Sequence, residues 1–92
     1  MNILWSSLAS RDVVDIKNYY IDRIPAKILL KIFNEIENTV ELVCKFPTIG
    51  RLLDDNRTRK CTLREYKYII LYEIDLEKII IKRVLDTRNK NF

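Results

Sequence analysis

The chain has 92 residues, 48% of them hydrophobic and 33% charged, with a formal net charge of +4. That length and balance point to one folded domain over residues 1–92 and exclude a disordered tail. No apolar run reaches the roughly 18 residues that span a bilayer, since the longest candidate, Lys78 to Leu85, is interrupted by Lys82 and Arg83.

Asn2 to Trp5 is short and apolar, as an opening strand would be. No basic stretch followed by an apolar core is present there, so no signal peptide is expected and a cytoplasmic location follows. Ser10 is the expected N-cap of a first helix, with Asp12 in its first turn, where the helix dipole favours an anion. Val13, Ile16, Tyr20 and Ile24 recur at helical spacing. Pro25 disfavours helical geometry at Ile24 and suits the start of a new helix. The first helix is therefore expected to end near Arg23 and the second to begin near Pro25. In the second, Leu29, Ile32, Phe33, Ile36, Val40 and Val43 form one apolar stripe. Two helices joined by a tight turn follow from this pattern. Pro47 and Gly50 then stop the helix and turn the chain. Pro fixes φ and Gly permits a positive φ, so the pair is expected to build the corner between helix and sheet.

Beyond this corner the period changes to two. Thr58 to Leu63 is a weak strand. From Tyr66 to Ile74, the residues Tyr66, Tyr68, Ile70, Tyr72 and Ile74 point one way, and Lys67, Ile69, Leu71 and Glu73 the other. Apolar residues on both faces indicate a central strand. Asp75 to Glu77 is a turn, and Lys78 to Leu85 is the next strand. Helices followed by an antiparallel meander make an α+β fold, with a short N-terminal strand and a helical hairpin packed on a C-terminal antiparallel sheet.

Charge is unevenly placed. Residues 1–55 hold 7 Lys/Arg and 8 Asp/Glu, a balance of −1, and residues 56–92 hold 10 and 5, a balance of +5. A basic C-terminal part favours an acidic partner: nucleic acid, an acidic protein surface or an acidic inhibitor segment. Cys44 and Cys61 are too few for a disulfide framework and read as free thiols of a reducing compartment. Without histidine they do not make a zinc site, and no cofactor is expected.

The segment Trp5-Ser6-Ser7-Leu8-Ala9-Ser10-Arg11-Asp12, followed by Ile16 and Tyr20, resembles the start of ParE/RelE toxins. So do Phe46-Pro47-Thr48-Ile49-Gly50-Arg51, Arg64, the Tyr68 to Tyr72 strand and Ile81-Lys82-Arg83-Val84-Leu85. These motifs cover nearly the whole chain. The resemblance implies the toxin of a type II toxin–antitoxin pair, causing growth inhibition and plasmid stabilisation, and held by a cognate antitoxin as a hetero-oligomer. The physical reading of the same residues is more modest: Trp5 and Ala9 pack in the core, and Arg51 either pairs with Asp54 or Asp55 or meets a phosphate.

The resemblance leaves the target open between two classes. ParE-like members inhibit DNA gyrase by binding it, whereas RelE-like members cut mRNA on the ribosome. RNA cleavage needs a group that activates the 2′-hydroxyl and another that stabilises phosphorane charge. The chain has no histidine. Ile69 stands where the resemblance places a strand arginine, and the tail Asn89-Lys90-Asn91-Phe92 has no tyrosine. Arg83-Val84-Leu85 resembles the segment that ends the last ParE-like strand, although Asp86 follows where a histidine is usual. Asp86 can simply pair with Arg88. The expected reading is a ParE-like, non-enzymatic inhibitor. The alternatives are an mRNA endoribonuclease and an inactive toxin-fold protein. Candidate target-binding residues are Arg51, Lys60, Arg64, Lys82, Arg83 and Arg88; of these Arg64, Arg83 and Arg88, together with Lys90, would make a surface suited to an acidic protein. Tyr66, Tyr68 and Tyr72 either stack bases from one face of their strand or, more plainly, face the helices with hydroxyls at the rim.

Overall fold

The computed structural model describes residues 1–88. Its first turn comes earlier than the sequence suggests. Strand β1, Asn2–Trp5, passes directly into helix α1, Ser7–Tyr20, through Ser6. Ser6, not Ser10, is the N-cap: its backbone is extended (φ −66°, ψ 159°) and its Oγ accepts from the Ala9 amide at 3.0 Å. The same hydroxyl donates to the Lys82 carbonyl at 2.9 Å. One residue thus caps the helix and ties it to the last strand, which Ser10, already inside the first turn, cannot do. Ala9 is fully buried beneath this corner and Trp5 packs against the core, as expected of that pair.

Helix α1 ends at Tyr20, three residues before Arg23. Arg23 folds back, its guanidinium donating to the Tyr19 carbonyl and lying 4.3 Å over the Tyr19 ring, so it closes the helix instead of extending it. Helix α2, Ala26–Lys45, follows Pro25, which serves as an extended N-cap with no side-chain bond. The expected stripe is the buried face: Leu29, Ile32, Ile36, Val40 and Val43 are buried, and Phe33 is packed against the core.

The sheet has five strands in the order β1-β5-β4-β3-β2. Strands β2 (Arg51–Leu52), β3 (Thr58–Thr62), β4 (Tyr68–Asp75) and β5 (Lys78–Asp86) form the antiparallel meander. Strand β1 joins β5 in parallel, so the sheet is mixed. Strand β2 has no counterpart in the sequence reading; two residues are too short to show a period. The β4–β5 turn holds Leu76 at φ 57° with its side chain 87% exposed. The first position of a two-residue hairpin turn with positive φ favours glycine. Leu76→Gly is therefore expected to raise stability by about 0.5–1 kcal/mol, read as an upward shift in Tm.

Tyr68, Ile70 and Tyr72 face the helices and meet Ile79, Ile81, Val84 and the α2 stripe in one core. Burial raises the Tyr68 phenol well above its ordinary range, and a bond with Tyr20 adds to this. The Tyr72 hydroxyl is not at a rim. It is buried, donates to the Pro47 carbonyl at 2.7 Å and accepts the Gly50 amide at 2.9 Å. Gly50 has no positive φ, contrary to the expectation for this corner. Glycine is required there for space: a Cβ would stand 2.7 Å from the Tyr72 hydroxyl oxygen and 2.8 Å from Cε1. Arg59 fastens the outside of this corner, donating to the Gly50 carbonyl at 2.8 Å and the Thr48 carbonyl at 3.3 Å.

A basic sheet face as the candidate functional site

Strand alternation places one set of side chains under the helices and the other on the opposite face of the sheet. Register then fixes which of them are neighbours. Arg51 pairs with Lys60, Lys60 with Leu71, and Leu71 with Arg83. These four residues form one row across the strands, about 14 Å from end to end at ordinary strand spacing. Three of the four are cations.

Lys82 joins the row through a bulge. Leu71 opposes Arg83 and Tyr72 opposes Ile81, so Lys82 is the extra residue. A bulge lets two consecutive residues share a face that regular alternation would divide between them. The Lys82 ammonium accordingly reaches Thr58 Oγ1 at 2.9 Å and lies 3.9 Å from the Glu73 carboxylate. Thr58 and Glu73 are themselves a cross-strand pair.

The β4 residues of this face are apolar where the row crosses them at Leu71 and, one step along the same face, at Ile69, which pairs with Thr62 and Leu85. Ile69 is 1% exposed and Leu71 8%, yet neither belongs to the core beneath the helices. Leu71 is flanked by Lys60 and Arg83, whose aliphatic stems can cover it. Ile80, Leu85 and the exposed Leu4 continue the apolar side chains toward β1. The result is a sheet face on which a basic row lies beside buried and part-buried apolar side chains.

Arg83 is held in place. Strand β1 stops pairing with β5 at Ile81, and side chains take over that edge. Ser6 bonds the Ile81 and Lys82 carbonyls through its amide and hydroxyl. Asp12 Oδ2 accepts the Val84 amide at 2.9 Å. The same carboxylate grips Arg83 with two bonds, Nε to Oδ2 at 2.8 Å and Nη2 to Oδ1 at 3.0 Å. That grip holds the guanidinium in its charged form. Read from sequence, Asp12 is a first-turn helix anion; because α1 begins at Ser7 it lies in the second turn instead, and its partners lie 71 and 72 residues away, beyond the reach of any local pattern.

The other candidates are dispersed. Arg51 is exposed and, among the described residues, makes no ion pair with Asp54 or Asp55. Asp55 turns inward on its own loop, accepting the Thr58 hydroxyl at 2.7 Å and the Thr58 and Arg57 amides. These bonds, the Thr58 hydroxyl foremost, lower its pKa to about 2. Arg64 sits on the β3–β4 loop and lines a separate groove against α2, with Asn34, Asn38 and Tyr66. Arg88 pairs with Asp86 through its amide, Nε and Nη2, as the sequence allows, and this depresses the Asp86 carboxyl. Lys90 and the tail from Asn89 lie outside the described residues. Tyr68 and Tyr72 are core side chains and Tyr66 packs against them, so the tyrosine stripe is turned from the basic face. Cys44 and Cys61 are half-buried and unpaired with each other. Among the described residues no group of His, Cys, Asp and Glu could hold a metal ion. Chemically, the face offers directed positive charge, with exposed apolar surface at Leu4 toward the β1 edge.

A family model for the ParE toxin of the type II toxin–antitoxin system parDE matches residues 3–91. Among solved structures, a chain of the chromosomal ParDE TA system from P. aeruginosa superposes with a TM-score of 0.75. It is 23% identical, and the match covers 94% of this chain and 95% of that one. At that identity the likeness speaks for the fold. No curated protein matches the chain.

Proposed function

Since the chain belongs to the ParE toxin family of type II toxin–antitoxin systems, we propose that it inhibits DNA gyrase by direct binding and is neutralised by a cognate antitoxin. The observation that carries this reading is the basic row with Arg83 fixed by Asp12. With Nε and Nη2 bound to Asp12, the guanidinium holds its remaining N–H donors in a fixed orientation, and the exposed Arg51 and the rest of the basic row suit an acidic protein patch. Cleavage of RNA asks for more. On β4, where the resemblance places an arginine in a RelE-like enzyme, stands the buried Ile69. It can neither take up a proton nor stabilise a phosphorane. No helix among the described residues is long and apolar enough to cross a membrane. The antitoxin would hold the toxin as a hetero-oligomer until release.

The purified protein is expected to block supercoiling by purified gyrase. Arg51→Glu, a reversal on an exposed strand end, is expected to weaken inhibition by roughly tenfold or more while leaving Tm nearly unchanged. Full gyrase activity at a large molar excess of toxin would overturn the proposal. Codon-dependent mRNA cleavage in a translating extract would replace it with the nuclease.

A further inference from the structure

Four large apolar side chains stand exposed where α2 gives way to the sheet. Leu42, Phe46, Ile49 and Leu52 are each 40–58% accessible. Their backbones are tied together. The Phe46 amide bonds the Leu42 carbonyl, one helical turn back, and the Ile49 amide bonds the Phe46 carbonyl. Leu52 opposes Arg59 across the β2–β3 pair. Arg59 in turn donates to the Thr48 and Gly50 carbonyls, on either side of Ile49. Single exposed apolar residues are ordinary, but a contiguous run of them marks a contact surface.

This corner is rigid, and its middle is basic. Beneath it the Tyr72 hydroxyl locks the Pro47 carbonyl to the Gly50 amide. Exposed Lys45 precedes Phe46, exposed Arg51 precedes Leu52, and the Arg59 guanidinium lies against the turn. Among the described residues none of these three cations enters an ion pair. Glu41 lies at the Leu42 end and Asp54 beyond Leu52, so Phe46 to Leu52 carries cations alone. Arg51 is also the first cation of the basic row, which makes the corner continuous with that row.

We infer that this apolar corner anchors the chain on gyrase, with Phe46 and Ile49 seated in an apolar depression of the target that is rimmed by acidic residues. The inference rests on the gyrase reading and adds the surface that supplies most of the binding energy. Aromatic side chains beside arginines on a pinned backbone are the usual centres of such interfaces, because little entropy is lost when they dock. A second copy of this chain fits less well, because two-fold pairing through the corner sets Lys45 and Arg51 against their own kind. A nucleic acid gains nothing from Leu42, Ile49 and Leu52, which offer phosphate no donor.

The test measures inhibition of gyrase supercoiling by the full chain. Phe46→Ala and Ile49→Ala are each expected to raise the half-inhibiting concentration at least tenfold, with Tm within about 3 °C of the parent. Leu30→Ala changes another exposed leucine of α2, about 18 Å from Leu42 by helical rise, and is expected to leave inhibition unchanged. All three variants are expected to co-purify with the protein encoded beside the gene. Full inhibition by both corner variants overturns the anchor and spares the gyrase reading. A parent chain that leaves supercoiling untouched overturns that reading and the anchor with it. Corner variants that lose the neighbouring protein but still inhibit gyrase assign the corner to the neutralising partner and overturn the inference. A dimer of the parent that both corner variants abolish, with inhibition intact, assigns it to a second copy and does the same.

Discussion

Asp12→Ala is expected to lower the stability of the folded protein by about 2–3 kcal/mol, a large effect for one residue on the side of a helix. Two losses add. The Val84 amide, part-buried on the β5 edge, loses its acceptor, and an unpaired buried donor costs about 1–2 kcal/mol. The two bonds to Arg83 also go. The Arg83 side chain is 38% exposed, so solvent and salt screen the charge and this share is about 1 kcal/mol. Asp12→Asn keeps an acceptor for Val84 and should lose about half as much. Urea unfolding of the three proteins measures this directly. Equal stability of Asp12→Ala and the parent would show that water replaces the carboxylate without penalty. The functional consequence is separable. With Arg83 unrestrained, inhibition of gyrase should weaken at temperatures where the variant is still fully folded.

The second large effect belongs to the corner after α2. Gly50→Ala places a methyl group 2.7 Å from the Tyr72 oxygen, and the buried ring has no room to withdraw. The expected cost is about 2–3 kcal/mol. Tyr72→Phe removes the hydroxyl that bridges Pro47 and Gly50, leaving a buried donor and acceptor unmet at about 2 kcal/mol. The two changes act on one contact. Loss of the hydroxyl relieves the closest clash, but the ring that remains keeps Cε1 at 2.8 Å. The double variant should therefore cost about 1 kcal/mol less than the sum. Strict additivity would mean that the glycine serves some purpose other than clearance for the hydroxyl.

These two sites show where local pattern stops being informative. Gly50 and Pro47 stand out in the sequence as a corner, but glycine invites a conformational reason, and the reason is steric. Only the approach of Tyr72, 22 residues along the chain, supplies it. Ser6 and Ser10 offer the same capping chemistry. The choice between them is made by the Lys82 carbonyl, 76 residues away from Ser6.

The candidate site divides in the same manner. Its cations are visible as a basic C-terminal part, and Arg51, Lys60, Lys82 and Arg83 can each be picked out from the sequence. Alternation alone would send Lys82 and Arg83 to opposite faces. The bulge at Lys82 in β5, opposite the Leu71–Tyr72 step of β4, is what brings them together, and a bulge depends on how two strands pair. Arg64 and Arg88 look equivalent to these in sequence and are placed elsewhere by a loop and by Asp86.

The helices, the central strand, the α+β order and the family itself are properties of the sequence, because helical and strand periods are local and the toxin motifs are linear. The row of cations and the Asp12 grip on Arg83 exist only once the sheet has formed. Each depends on register between segments that are distant in the chain, and register is set by packing the whole core at once.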